Sequence, residues 1–171
     1  MTENIKLFVN GDVKCPERKY GDAGIDFFVP YKTNKFIFDL KEKNIDLRLV
    51  EEGIELYPGK DVLIPSYIHS RFSAEWMLRA SNKSGIATKQ KLRIGAEIVD
   101  SSYEGIIHMH VFNDSEKVQI IKYGQKLVQF VPIHVNEKDL DITTSDEMTL
   151  EEFYKDHETE RGAEGFGHTG I

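Results

Sequence analysis

Apolar residues in this chain recur with a period of two, in short runs. Ile5, Leu7 and Val9 alternate with polar neighbours. Short runs rich in β-branched or aromatic residues follow at 25–29, 36–38, 62–64, 72–78, 92–99, 106–112, 118–121 and 127–135. Alternation of this kind is the signature of half-buried strands. Gly11, Gly21, Pro30, Pro58-Gly59, Gly85, Gly105, Asn113-Asp114 and Gly124 punctuate the runs, and such residues mark turns. The expectation is an all-β sandwich or a barrel-like jelly roll. Residues 149–157 break the pattern. Leu150, Phe153 and Tyr154 fall at i, i+3 and i+4, which predicts one short helix with Thr149 or Ser145 as its cap. Residues 41–55 are charged and read either as a small extra hairpin or as an excursion over the surface.

Composition excludes several classes. The chain has 171 residues, with Lys plus Arg 22 against Asp plus Glu 29, a net charge of −7. That length suits one domain with a core of its own, expected over residues 1–160. An acidic chain lacks the basic footprint that duplex nucleic acid requires, yet a few local cations and amides suffice for a small phosphate ligand. The single cysteine, Cys15, excludes an intramolecular disulfide and a cysteine-cluster zinc site and fits a reducing compartment. No apolar run reaches the length of a membrane span or of a signal-peptide core. No membrane or nucleic-acid partner is therefore expected. The expected location is the cytoplasm, or the interior of a host cell if the gene is viral.

The end of the chain is unusual. Four of its 13 glycines, Gly162, Gly165, Gly167 and Gly170, fall in the last ten residues. Such a stretch is too flexible for a core, and an ordinary frayed terminus is one reading. Arg161 and Phe166 inside it suggest the other, an arm over residues 161–171 that orders over a ligand. An arginine meets an anion there and a ring stacks on something flat.

This tail, Arg161-Gly162-Ala163-Glu164-Gly165-Phe166-Gly167-His168-Thr169-Gly170, resembles the C-terminal motif of the homotrimeric dUTPases. Four further stretches resemble that family's other motifs, in order: Ala23-Gly24-Ile25-Asp26-Phe27, Asn82-Lys83-Ser84-Gly85-Ile86-Ala87, the segment 95–105 (GAEIVDSSYEG), and Tyr123-Gly124-Gln125-Lys126-Leu127-Val128-Gln129-Phe130. The resemblance implies a distorted jelly roll assembled as a threefold trimer. Active sites would lie between subunits, and each C-terminal arm would cover a neighbour's site. It also implies hydrolysis of dUTP to dUMP and pyrophosphate with Mg²⁺, which keeps uracil out of DNA and supplies dUMP for dTMP synthesis.

By the same resemblance, Asp100 is the base that activates water. Its ordinary reading is an aspartate opening the Asp-Ser-Ser turn. Tyr103 packs on the deoxyribose and leaves no room for a 2′-hydroxyl; otherwise it is a core tyrosine of the next strand. Ser84, beside Gly85, forms an anion nest with backbone amides. Lys83 stands where the family has arginine, which keeps the charge and loses the planar fork. Gln129 donates to phosphate or holds a water. Arg161 meets the γ-phosphate, Phe166 stacks on the base beside Gly167, and Thr169 offers a hydroxyl to the terminal phosphate. Asp26 holds metal-bound waters or simply anchors a loop. The main chain of a hairpin at Gly95, Ala96, Glu97 and Ile98 reads the uracil edge.

Glu97 departs from the family's glycine, so its carboxylate either points to solvent or alters base preference. His168 replaces a residue that is usually serine. His108 and His110 share one strand face, as ordinary half-buried positions or as metal or anion ligands on a threefold axis. Residues 31–57 form a longer stretch than the family carries, a surface insertion or a contact for a regulatory protein. Two rivals stay open: a dCTP deaminase-like or altered-base enzyme, and a regulatory protein-binding homologue.

Overall fold

The computed structural model describes residues 5–136, 144 and 146–155. The chain divides into two units, Met1–Glu137 and Lys138–Ile171. The first carries β1 (Lys6–Val9), β2 (Ile25–Phe28), α1 (Asn34–Lys43), β3 (Arg48–Leu49), β4 (Gly53–Leu56), β5 (Asp61–Pro65), β6 (Ile68–Arg71), β7 (Trp76–Asn82), a π-helical turn Ile86–Gln90, β8 (Leu92–Ile94), β9 (Ile98–Val99), β10 (His108–Asn113), β11 (Gln119–Lys122) and β12 (Lys126–His134). The second carries α2 (Leu150–Tyr154).

The strands form small sheets ordered β1-β6, β5-β10-β8, β11-β4-β3 and β2-β12-β7-β9. The period-two reading is visible on β10, where Met109, Val111 and Asn113 turn inward while His108, His110 and Phe112 stay partly exposed. The buried set includes Phe27, Val62, Ile64, Leu78, Val111, Leu127, Val128 and Phe130. Phe27 and Phe130 meet with ring centroids 4.4 Å apart. Each buried side chain of this size contributes about 1.5–3 kcal/mol.

The first unit is mostly β, as expected, with one departure. The run Phe36-Ile37-Phe38, read as a strand, lies in α1. On a strand Phe36 and Phe38 would share a face; here Phe36 is fully buried and Phe38 is 62% exposed. Local chemistry favours the helix. Thr33 Oγ1 accepts from the Phe36 amide at 3.1 Å, an N-cap. Lys35 and Asp39 pair at i, i+4, and Lys41 and Lys43 face the negative end of the dipole. Phe36 and Leu40 turn one face into the core.

The 31–57 stretch is therefore woven into the fold rather than laid over it. After α1, Asn44 spans from the helix to β5. Its Nδ2 donates to the carbonyls of Leu40 at 2.7 Å and Leu63 at 2.9 Å, and its Oδ1 accepts from the Leu63 amide at 2.8 Å. The chain then makes the β3-β4 hairpin, one of the two forms expected for residues 41–55, and β11 joins it. Tyr67 locks the helix from below. It holds a left-handed φ of 60° and is almost fully buried, and its hydroxyl donates to Asp39 at 2.6 Å. Such backbone strain persists only where packing over-determines it. A Cβ on Gly11 would come within 2.6 Å of the Tyr67 ring, so only glycine fits there.

The expected strand over 72–78 is interrupted, because β6 ends at Arg71 and β7 begins at Trp76. In the second unit the Thr149 cap stands as expected. Thr149 Oγ1 accepts from the Glu152 amide, and the Glu152 carboxylate accepts from the Thr149 amide, a capping box.

Candidate functional site

Three strands of one sheet carry the first cluster. In the register Asp26 on β2 faces Gln129 on β12, which faces Ser81 on β7. Asp26 points a carboxylate that is only 13% exposed at two ammonium groups, Lys83 and Lys126; the Lys126 contact is 2.8 Å. Lys126 also reaches Glu17 at 3.5 Å. Burial pushes the Asp26 carboxyl up, but hydrogen bonds from Lys126 and Lys83 outweigh it and hold the group below its ordinary value. The Asp26 hydrogen bond holds the Lys126 ammonium above its own. Gln129 Nε2 donates to the Asn82 carbonyl at 2.8 Å. Gly24 lies against this amide, and a Cβ there would come to 2.6 Å from Gln129 Oε1.

Lys83 leaves the end of β7, and Ser84 and Gly85 open the helical turn that follows. The Ala87 amide donates to the Lys83 carbonyl at 2.9 Å, and Thr88 Oγ1 donates to the Ser84 carbonyl at 2.7 Å. Gly85 has ordinary helical dihedrals, φ −64° and ψ −36°, with nothing within 4 Å of where a Cβ would sit. Ser84 and Gly85 are exposed. The glycine thus leaves open space beside the serine, as an anion cradle requires, but through its missing side chain rather than a left-handed backbone.

The expected hairpin at residues 95–98 is instead a crossover. β8 pairs with β10, whereas β9 pairs with β7 in a different sheet. Gly95, Ala96 and Glu97 carry the chain between them, and both ends are tied. The Gly95 amide donates to the His110 carbonyl at 2.9 Å, and the Ala96 amide donates to His110 Nδ1 at 3.1 Å. The Glu97 carbonyl accepts from the Ala80 amide at 2.7 Å, and the Glu97 carboxylate accepts from Arg79 Nε at 2.9 Å. Glu97 is therefore an ion-pair partner on the sheet surface. Asn82 Oδ1 accepts from the Ile94 amide at 3.0 Å and joins the Lys83 turn to the start of the crossover.

Asp100 follows β9 and is exposed. The Tyr103 amide donates to its carbonyl at 3.1 Å, so the Asp-Ser-Ser stretch is a turn. Tyr103 is not a core residue. It is 43% exposed, its hydroxyl donates to the Ile106 carbonyl at 2.9 Å, and its ring lies on Gly105. The ring is tethered through its hydroxyl and stays partly exposed.

The register separates the two groups. Val99 faces Leu78 and Ile98 faces Arg79, so Asp100 continues towards Met77, four residues along β7 from Ser81. At about 3.3 Å per residue that is about 13 Å along the strand. One chain brings together Asp26, Lys83, Lys126 and Gln129, and carries residues 95–98 beside them on the same sheet, but the register sets the Asp100 turn about 13 Å along β7 from the Asp26–Gln129–Ser81 row. Arg161, Phe166, Gly167, His168 and Thr169 lie outside the described residues.

His108 and His110 do share a face. Burial pushes His108 below its ordinary value, and His110 is taken up by Ala96 and Asp61. Among the described residues no three His, Cys, Asp or Glu side chains gather as metal ligands. The Asp26 carboxylate is an oxygen donor beside the open Ser84-Gly85 turn, of the kind that suits the waters of an Mg²⁺ carried on phosphate oxygens. Among the described residues no helix is long and apolar enough to cross a membrane.

Sequence reasoning placed Lys126 and Asn82 inside two of the motifs without giving either a role, and it missed Arg79. Lys126 left a further signal, a cation opening the apolar strand 127–131; the contacts of Asn82 and Arg79 left none, since their partners are distant in sequence.

Comparison with known proteins follows the same lines. A family model described as dUTPase matches residues 44–170. The deoxyuridine 5′-triphosphate nucleotidohydrolase of Candida albicans is 32% identical over 126 residues, 69% of this chain and 74% of that protein. Its counterpart in Mannheimia succiniciproducens is 34% identical over 131 residues, 74% and 80%. Among solved structures, a Staphylococcus bacteriophage 80alpha dUTPase variant with dUpNHpp matches with TM-score 0.67 at 17% identity, over 98% of this chain and 99% of that one. The native EIAV dUTPase matches with TM-score 0.62 at 20% identity, over 85% and 100%.

Proposed function

The chain belongs to the dUTPase family, and from that premise we propose that it hydrolyses dUTP to dUMP and pyrophosphate in sites shared between subunits of a homotrimer. The observation that carries the shared site is the separation of about 13 Å along β7 between the Asp100 turn and the Lys83–Gln129 row. A base and the phosphate it serves must lie within hydrogen-bond reach, directly or through one water. A carboxylate on one protomer and the cation cluster of another satisfy that requirement.

In this reading Asp100 accepts a proton from a water whose oxygen bonds to the α-phosphorus. The bond from that phosphorus to the bridging oxygen of the β-phosphate breaks, and pyrophosphate leaves with the electron pair. Lys83, Lys126 and the open Ser84-Gly85 turn hold the phosphate chain, with Gln129 and Asn82 fixing the floor beneath. Mg²⁺, when bound with the triphosphate, supplies charge neutralisation, and Asp26 is the nearby carboxylate suited to its waters. The ring of Tyr103 lies against the deoxyribose, and the main chain of Gly95, Ala96, Glu97 and Ile98 reads the uracil edge. The arm contributes Arg161 to the γ-phosphate, Phe166 and Gly167 over the base, and Thr169 to the terminal phosphate.

The test is a panel of dUTP, dCTP, dTTP and UTP with product analysis, on a sample of measured mass. Pyrophosphate and dUMP from dUTP alone, in a trimer, is the expected result. Ammonia release from dCTP, or a monomer that hydrolyses dUTP at full rate, refutes it.

A further inference from the structure

Two successive amides of the crossover end on one residue. Gly95 donates to the His110 carbonyl and Ala96 to its ring nitrogen Nδ1, at 2.9 and 3.1 Å. An amide is only a donor, so Nδ1 accepts and the ring proton sits on Nε2. Nε2 lies 2.9 Å from Asp61 Oδ2, which receives that proton in a hydrogen bond and fixes the tautomer. The ring is held from other sides as well. The Phe112 ring packs beside it at a tilt of 53°, with centroids 4.7 Å apart. The Gly95 α-carbon presses on it so closely that a Cβ there would run into Nδ1. The far end of the crossover is pinned separately, by Ala80 and Arg79 on Glu97.

We propose that His110, held as its Nε2–H tautomer between Ala96 and Asp61, is the positioning residue of the base-reading segment, and that it sets which main-chain groups of residues 95–98 meet the pyrimidine. This rests on the reading of that segment as the uracil contact. The Ala96 amide is spent on the imidazole and the Glu97 carbonyl on Ala80, so the ligand meets the donor and acceptor pattern that remains. A segment free to turn offers either polarity to a ring edge, and the two pyrimidines differ in just that polarity. A fixed segment leaves the wrong base with unpaired polar groups.

The experiment uses the full-length chain in three forms: wild type, His110→Phe, which keeps a flat ring without an acceptor, and His110→Gln, whose carbonyl can accept from Ala96. Long-range ¹H–¹⁵N correlation spectra of the wild type, assigned by the signal lost in His110→Gln, read the tautomer. An Nε2–H ring is expected, and an Nδ1–H ring overturns the proposal. Kinetics with dUTP and dCTP read the consequence. His110→Phe raises KM for dUTP about tenfold and narrows the preference for dUTP by a similar factor, with kcat within about threefold, and His110→Gln restores KM. Unchanged KM and preference in a folded His110→Phe overturn the proposal. If that variant does not fold, the tautomer and the behaviour of His110→Gln decide. A wild type that leaves dUTP intact refutes the dUTP reading, and the tautomer still judges the bond to Ala96.

Discussion

Asn44→Ala tests whether the stretch between the first two motifs belongs to the core. Asn44 makes three hydrogen bonds, at 2.7, 2.9 and 2.8 Å, and two of them go to the backbone of Leu63 on β5. β5 lies at the edge of its sheet, and the asparagine amide satisfies that edge in place of another strand. A hydrogen bond of this kind contributes about 1 kcal/mol net. Water can replace part of the loss at a half-buried site, so the cost is about 2–3 kcal/mol. For a chain of this length each kcal/mol moves Tm by about 2–4 °C, which gives a fall of about 4–12 °C. Thermal melts followed by circular dichroism, at one protomer concentration because assembly shifts Tm, read this directly. Asn44→Asp keeps an acceptor for the Leu63 amide but sets a carboxylate oxygen against the Leu63 carbonyl, so it melts no higher than the alanine variant. A Tm within about 2 °C of wild type for Asn44→Ala refutes the anchoring role. The same geometry bears on how a partner contact in residues 31–57 is tested. Deleting the stretch removes Phe36 and Leu40, both fully buried, and confounds binding with folding. Substituting Phe38 and Ile45, 62% and 94% exposed, leaves the core intact.

Three other outcomes are expected. Asp100→Asn abolishes turnover while leaving the Kd for a non-hydrolysable dUTP analogue within about threefold; substantial residual rate removes Asp100 from the role of base. The Asp26 carboxyl, held low by its two lysines, contributes stability above its unfolded pKa of about 3.9, and that contribution is lost as pH falls through the lower folded value. In Lys83→Ala plus Lys126→Ala the carboxyl titrates at higher pH, read by ¹³C carboxylate NMR, and an unmoved titration contradicts the pairing. Chelation of Mg²⁺ slows dUTP hydrolysis and re-addition restores it; insensitivity to both excludes a metal role.

Much of the fold was legible because strands announce themselves by alternation, and β10 follows the expected pattern residue by residue. The Thr149 cap was legible because a capping box is local. Phe36 and Phe38 misled, since two aromatics at i, i+2 mimic a strand. Their separation became visible only through Thr33, Lys35 and Asp39, whose contributions are individually small. The residues proposed for the site can be named from the sequence one by one, but their grouping cannot. Nothing in the order Asp26, Lys83, Asp100, Gln129 reveals that register sets Asp100 four positions away from the others. The crossover at Gly95 was also hidden, because a hairpin and a sheet-to-sheet step share the same short strands. Only the partners, β10 and β7, tell them apart.

The doubled lysine contact on Asp26 has a consequence for how a charged guest is received. Stripping the sole counter-ion from a half-buried carboxylate costs several kcal/mol. With two ammoniums in attendance, one can swing out to greet an incoming polyanion while the other stays behind as escort. A phosphate chain bound as proposed would thus find a spare cation on loan, released without stranding the acid that stores it.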